Sequence, residues 1–197
     1  MVAMVSTQTV VLVAIVLGAA LALWTVVAFN RLVRCRNLVR EGWSGIDVQL
    51  KRRHTLVPSL VETVKGYGRH EREVLEAVTA VRAGQSDSGG EGEAPAARAG
   101  RENALTDQLK ALFALSESYP ELKADRNYRR LMEQLSEIED QIQYARRYYN
   151  GAVRDYNISV ESFPSNVVAK MFTFPLAEFF QIATATERAA PKVEMQG

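Results

Sequence analysis

The chain has 197 residues, of which 24 are basic and 23 acidic, giving a formal net charge of +1. Charge this balanced, with both signs intermixed, excludes the one-signed basic face that nucleic acid selects, so no nucleic-acid partner is expected. The single cysteine, Cys35, excludes an internal disulfide framework and suits a reducing compartment.

All the charge lies beyond residue 29, and Val10 to Phe29 is a run of 20 residues without any. At about 1.5 Å per residue this run makes roughly 30 Å of helix, the thickness of a bilayer's hydrocarbon core. A transmembrane helix is therefore predicted over residues 10–29, after a short non-cytoplasmic N-terminus at residues 1–9. A cleaved secretory signal fits poorly, because residues 1–9 hold no Lys or Arg and no small-x-small site precedes the arginines. Arg31, Arg34, Arg36 and Arg40 flank the span on its C-terminal side with no acid among them. The positive-inside bias then leaves the N-terminus outside and the bulk of the chain in the cytoplasm. Arg34 precedes Cys35 where a lipoprotein signal needs a small residue, so a lipoprotein anchor is not expected there.

From Leu32 the apolar residues follow a four-three spacing as far as Val81, and twelve of fifteen seam positions are apolar, with Arg36, Arg53 and Glu71 the exceptions. Such a period predicts one long helix packed in a bundle or coiled coil. Pro58 predicts a kink, and Gly42, Gly45, Gly66 and Gly68 predict close approach by a neighbour or a local bend. Gly84 to Gly100 holds five glycines and a proline and reads as a flexible linker. A second amphipathic helix is predicted from Glu102 to Ser118, stopped by Tyr119-Pro120. Asp125 can cap a third, whose seam runs from Tyr128 through Leu135, Ile142, Tyr149 and Tyr156 to Phe163. Phe163-Pro164 ends it, and Ser165 is placed to cap a short fourth segment, Val167 to Phe172. Residues 183–197 read as a frayed tail. No segment alternates as strands do. The expected fold class is all-α: a single N-terminal transmembrane helix followed by an antiparallel helical bundle of three long helices plus a short fourth, spanning residues 30–182.

Chemical motifs are sparse. Di-iron bundles use Glu-x-x-His pairs, but Lys51 and Tyr67 stand three residues before the two histidines, His54 and His70. His70-Glu71 opens like a zinc-protease motif, yet position 74 is Val. The glycines after residue 84 follow a helix and lack a downstream Lys-Ser/Thr. No catalytic residue, cofactor or metal site is expected, and the protein is read as a non-enzyme. The basic run Lys51-Arg52-Arg53 is expected to pair across the bundle with the acidic run Glu133, Glu137, Glu139 and Asp140. Tyr148, Asn150, Arg154 and Asn157 read as a candidate protein interface, with Tyr149 and Tyr156 in the core; a buried polar network is the alternative for this cluster.

Several runs together carry a resemblance: Arg36-Asn37-Leu38-Val39, Ile46-Asp47-Val48-Gln49-Leu50-Lys51-Arg52-Arg53 and Leu56-Val57-Pro58-Ser59-Leu60-Val61-Glu62-Thr63. Tyr119-Pro120-Glu121-Leu122-Lys123-Ala124, Ala145-Arg146-Arg147-Tyr148-Tyr149-Asn150 and Phe163-Pro164-Ser165-Asn166 continue it in order. The chain closely resembles the LemA family over about residues 30–180. The resemblance implies a bacterial inner-membrane protein with an N-terminal membrane helix and a cytoplasmic helical bundle, and it supplies no catalytic residues. Ser59 stands where the family usually has asparagine.

The expected function is a membrane-anchored scaffold or adaptor that contacts itself as a homo-oligomer, other membrane-associated proteins and the lipid bilayer. A membrane-shaping or membrane-organising protein acting through oligomerisation is the alternative. Self-association is expected at Trp43, because the seam at residues 39–50 begins closer to the membrane than a second helix starting at Glu102 reaches.

Overall fold

A computed structural model describes residues 7–67, 72–86 and 94–180. Among the described residues every regular element is helical: α1 (Thr7–Tyr67), α2 (Arg72–Ser86), α3 (Pro95–Ser116), α4 (Pro120–Ala124), α5 (Arg126–Glu161) and α6 (Ser165–Met171). Six helices thus replace the expected three long ones and a short fourth. The predicted span lies within α1, the one described helix long and apolar enough to cross a membrane. None of its most apolar stretch is buried against protein.

The helix expected to run unbroken to Val81 ends at Tyr67, and residues 74–81 belong to a separate helix. The seam residues Val74, Val78 and Val81 still find an apolar partner, because they pack on Val57, Leu60, Val61 and Val64 of α1 itself. The 84–100 stretch is helical at both ends, with 84–86 in α2 and 95–100 in α3. Residues 87–93 of that stretch, like His70, Glu71 and the 183–197 tail, lie outside the described residues. Proline at the first turn of α3 and of α4 costs no hydrogen bond, since that N–H has no helical acceptor. The five-residue α4 had no periodicity to betray it.

By its contacts the chain divides into two compact units, residues 42–150 with 178–197 and residues 1–41 with 151–177. In the first, the core joins α1, α2, α3, α4 and α5 through Leu60, Val78, Leu105, Leu112, Leu122 and Leu135. Asp125 caps α5 as expected, its Oδ1 accepting from the Tyr128 N–H at 2.8 Å. Pro58 sits inside α1 and leaves the His54 carbonyl without its helical donor. Gln85 of α2 fills that vacancy, donating from Nε2 at 2.7 Å.

In the second unit, Leu32 and Ala28 of α1 are buried with Tyr156 of α5, Val168 and Ala169 of α6, and Phe174. Ser165 does not cap α6. Pro164 holds that position, and the Ser165 hydroxyl lies 2.7 and 2.9 Å from the Ser159 and Ser162 carbonyls at the end of α5. Phe163, expected on the α5 seam, is 82% exposed.

Two glycines of α1 separate packing from mere tolerance. A Cβ at Gly42 would stand 3.0 Å from the Tyr149 Cα and 3.2 Å from the Tyr148 ring, whereas one at Gly45 meets nothing. Gly42→Val is expected to destabilise the full chain in detergent by about 1–3 kcal/mol through overpacking. Gly45→Ala should instead stabilise it by up to about 1 kcal/mol through helix propensity. Thermal melts followed by circular dichroism check both signs.

Candidate functional site

The polar centre of the 42–150 unit is Arg53, a seam exception whose side chain is only 2% exposed. A guanidinium cannot shed its charge, so burial there demands anions and acceptors. Its Nη2 donates to Glu102 Oε2 and, at 3.1 Å, to the Glu102 carbonyl. Its Nη1 donates to Glu139 Oε2 at 3.0 Å and to the Thr106 hydroxyl at 2.6 Å. His54 Nε2 stands 3.1 Å from the second Glu102 oxygen. Thus one turn of α1 is answered by α3 and α5, and its His54 carbonyl by α2. Pairing with the acidic run is met by Glu139 alone for Arg53, since Lys51 bonds to Asp47 on its own helix and Arg52 to Gln49. Glu102 was not singled out in the sequence, although its place one turn before Leu105 on the apolar face of α3 was the available signal.

Burial by itself would raise the Glu102 carboxyl, but the His54 hydrogen bond and the Arg53 charge outweigh it and hold that group below its ordinary 4.5. Two grooves border this region, one of about 220 Å³ by Thr106 and Glu139 and one of about 290 Å³ by Arg52 and Gln134. Each is smaller than the roughly 300–1,000 Å³ that small-molecule sites occupy. The charges here are paired between helices.

The second constellation lies on α5, where Tyr149-Asn150 and Tyr156-Asn157 repeat at an interval of seven residues. In the 42–150 unit, Asn150 grips the backbone of Phe180 from both sides, donating to its carbonyl at 3.1 Å and accepting from its N–H at 3.0 Å. Tyr149 donates to the Glu178 carbonyl at 2.8 Å. In the other unit, Asn157 grips Ala177 in the same way, at 2.9 Å in each direction, and Tyr156 donates to the Pro175 carbonyl at 2.7 Å. Each clamp has the same pattern, an asparagine gripping one peptide group and the preceding tyrosine reaching the carbonyl two residues earlier. Burial first, and the Glu178 charge second, push the Tyr149 hydroxyl up to about 12, so it remains a donor.

These contacts sort the candidate interface residues. Asn150 and Asn157 spend their amides inside the fold, as the polar-network alternative required. Tyr149 and Tyr156 are buried. Tyr148 is 49% exposed and Arg154 is also exposed. Trp43 is half-buried under Tyr149, Phe180 and the Arg98 guanidinium, at 5.6, 5.9 and 5.5 Å between centres. Ile46 and Leu50 are fully buried. The seam from Trp43 to Leu50 is covered because α3 begins at Pro95, seven residues earlier than expected, and brings Arg98 over Trp43, and because Phe180 lies beside Trp43 as well. In the flank, Arg31, Arg34 and Arg40 are exposed, whereas Arg36 is half-buried with its guanidinium 5.0 Å from the centre of the Phe174 ring.

Arg53→Met is expected to cost about 3 kcal/mol or more, since it leaves Glu102 and Glu139 without their cation; denaturant unfolding of the detergent-solubilised chain measures it. Because the folded Glu102 binds its proton more weakly than an unfolded glutamate, its contribution is complete above pH 4.5 and drains as pH falls through the folded value. Tm should accordingly drop below pH 4.5, and more shallowly in Glu102→Gln. Asn157→Ala should free the Ala177 N–H and speed its hydrogen exchange by about tenfold, the equivalent of one lost hydrogen bond; unchanged exchange at Ala177 would falsify the clamp.

The LemA family model matches residues 42–195. Protein LemA of Metamycoplasma hominis is 28% identical over 159 residues, covering 81% of this chain and 71% of that protein. Magnetosome protein MamQ 2 of Paramagnetospirillum magneticum is 35% identical over 82 residues, covering 42% of this chain and 30% of that protein. Magnetosome protein MamQ of Magnetospirillum gryphiswaldense is 24% identical over 174 residues, covering 77% of this chain and 64% of that protein. The chain therefore matches less than two thirds of the length of either MamQ protein. None of these names is an enzyme name. A family match extending over most of the chain, through the Arg53 cluster and both Tyr-Asn clamps, makes this protein a member of the LemA family.

Proposed function

We propose that the protein is a membrane-anchored, non-enzymatic helical scaffold at the bacterial inner membrane, with its N-terminus outside and residues 30–182 in the cytoplasm as an antiparallel bundle. The observation that carries this reading is the bare surface of α1. Val10, Leu12, Ile15, Leu17, Leu21 and Leu23 are each more than half exposed, which only a non-aqueous solvent tolerates at this density. The arginine flank sets the orientation. Scaffold is the reading of the remainder: the polar centre is charge-paired, the grooves are small, and rigid helices are what the chain offers its surroundings.

Self-association through Trp43 loses its premise, because the seam there is covered. The contact surface that we assign instead is the exposed face of α5 around Tyr144 and Tyr148, which are 61% and 49% exposed, with Arg147 over the Tyr144 ring at 4.6 Å. Exposed tyrosines beside arginine combine area with hydrogen bonding, which suits either a second copy or another membrane-associated protein.

Two measurements test the proposal. The full chain should stay in the membrane pellet through an alkaline carbonate wash, and recovery in the supernatant would refute the anchor. A cysteine at the exposed Glu133, in a Cys35→Ser chain, should react with a membrane-impermeant maleimide only after cells are permeabilised. Labelling of intact cells would reverse the orientation.

A further inference from the structure

The second unit carries an apolar surface that neither the clamps nor the polar centre uses. At the α5–α6 corner and the turn after it, Phe163, Val167, Met171, Phe172 and Leu176 are 82, 52, 67, 48 and 54% exposed. The α6 helix buries Val168 and Ala169 on one side and still leaves the apolar Val167 and Met171 bare on the other, beside Lys170. Five such side chains around a seven-residue helix are too many for scattered surface residues.

Depth decides what covers them. Phe29, the last residue of the uncharged run, meets the Phe172 ring edge-on at 4.9 Å and the Phe174 ring at 5.6 Å. Trp24 and Ala28, inside that run, pack in the same cluster as Val168 and Phe174. Trp24 lies about 7.5 Å further into the span than Phe29. On the anchor reading this is the level where α1 passes from hydrocarbon to headgroups, and Phe172 joins the corner's bare side chains to the end of the span through Phe29. Basic groups stand at the same level. Lys170 on α6 and Arg31 and Arg34 on α1 are exposed, with Glu161 the exposed acid of the corner. Long cations at that depth suit phosphate headgroups while their stems lie along apolar surface.

We propose that the α5–α6 corner is a lipid-binding foot: Phe163, Val167, Met171 and Phe172 insert among the headgroups and upper acyl chains of the cytoplasmic leaflet, beside the point where α1 emerges. This rests on the anchor reading above and adds to it a second, interfacial attachment. The occupant is lipid, because the surface is continuous with the apolar span through Phe29 and is held at the span's end by aromatic contacts. A helix touching the membrane at one point swivels. One that also stands on a foot has its rotation about the span axis fixed.

The test uses the full chain in a Cys35→Ser background, with the environment-sensitive dye NBD on a cysteine at Met171, Phe163 or, as an aqueous reference, Glu133. The protein is reconstituted into vesicles of phosphatidylcholine and phosphatidylglycerol. The Met171 and Phe163 probes are expected to emit blue-shifted light and to be quenched several-fold more strongly by shallow doxyl-labelled lipid than by aqueous iodide, with the Glu133 probe reversed. Water-like emission and iodide quenching at both corner positions would overturn the foot while leaving the anchor standing. Blue-shifted emission that lipid does not quench and that weakens on dilution of the protein in the bilayer would overturn it in favour of a second copy. Failure of the chain to float with vesicles would sink the anchor reading itself.

Discussion

A permanent charge placed in an apolar interior needs anions and acceptors close by. The two Nη atoms of Arg53 find two carboxylates, a hydroxyl and a main-chain carbonyl, all contributed from elsewhere in the 42–150 unit. Its neighbour His54 completes the arrangement, touching Glu102 with its ring and receiving Gln85 on its carbonyl. Three helices, α2, α3 and α5, thus converge on one turn of α1, and the hydrophobic layers to either side inherit their register from it. Apolar seams alone tolerate a slip of one heptad, because Leu on Val is nearly as good at one turn as at the next. A guanidinium between Glu102 and Glu139 is not, since a slip would strand three charges. The specificity of the packing therefore sits in its least hydrophobic residue.

This also explains what the sequence disclosed and what it withheld. The seams of α1 and α5 were legible, because a 3.5-residue period of buried side chains survives whatever the helices pack against; Leu32, Ile46, Leu50, Val57, Ile138 and Ile142 are all buried. The seam exceptions were more informative than the seam itself. Arg53 marks the polar centre, and Arg36 marks where Phe174 lies. The break between α1 and α2 was not legible, because α2 packs on α1 with the same valine spacing that a continuation would have needed. The early start of α3 was hidden by alanine and glycine. Residues 95–100 lack large apolar side chains, yet Ala99 is buried.

The Tyr-Asn pairs show the same limit at a site. Their composition suggested either an external contact surface or an internal network, and composition cannot choose between them. The choice follows from the hydrogen bonds: Asn150 spends its amide on the Phe180 backbone and Asn157 on the Ala177 backbone, each within its own unit. The exposed remainder, Tyr144 and Tyr148, is what such a network leaves over for other molecules.

The clamps grip peptide groups and ignore the side chains attached to them. At Ala177 and Phe180 the asparagine amides read only an N–H and a C=O, which every residue but proline supplies. Each grip therefore constrains the backbone at its own position and leaves the identity of the residue there to its other contacts, as at Phe180, whose buried ring lies beside Trp43.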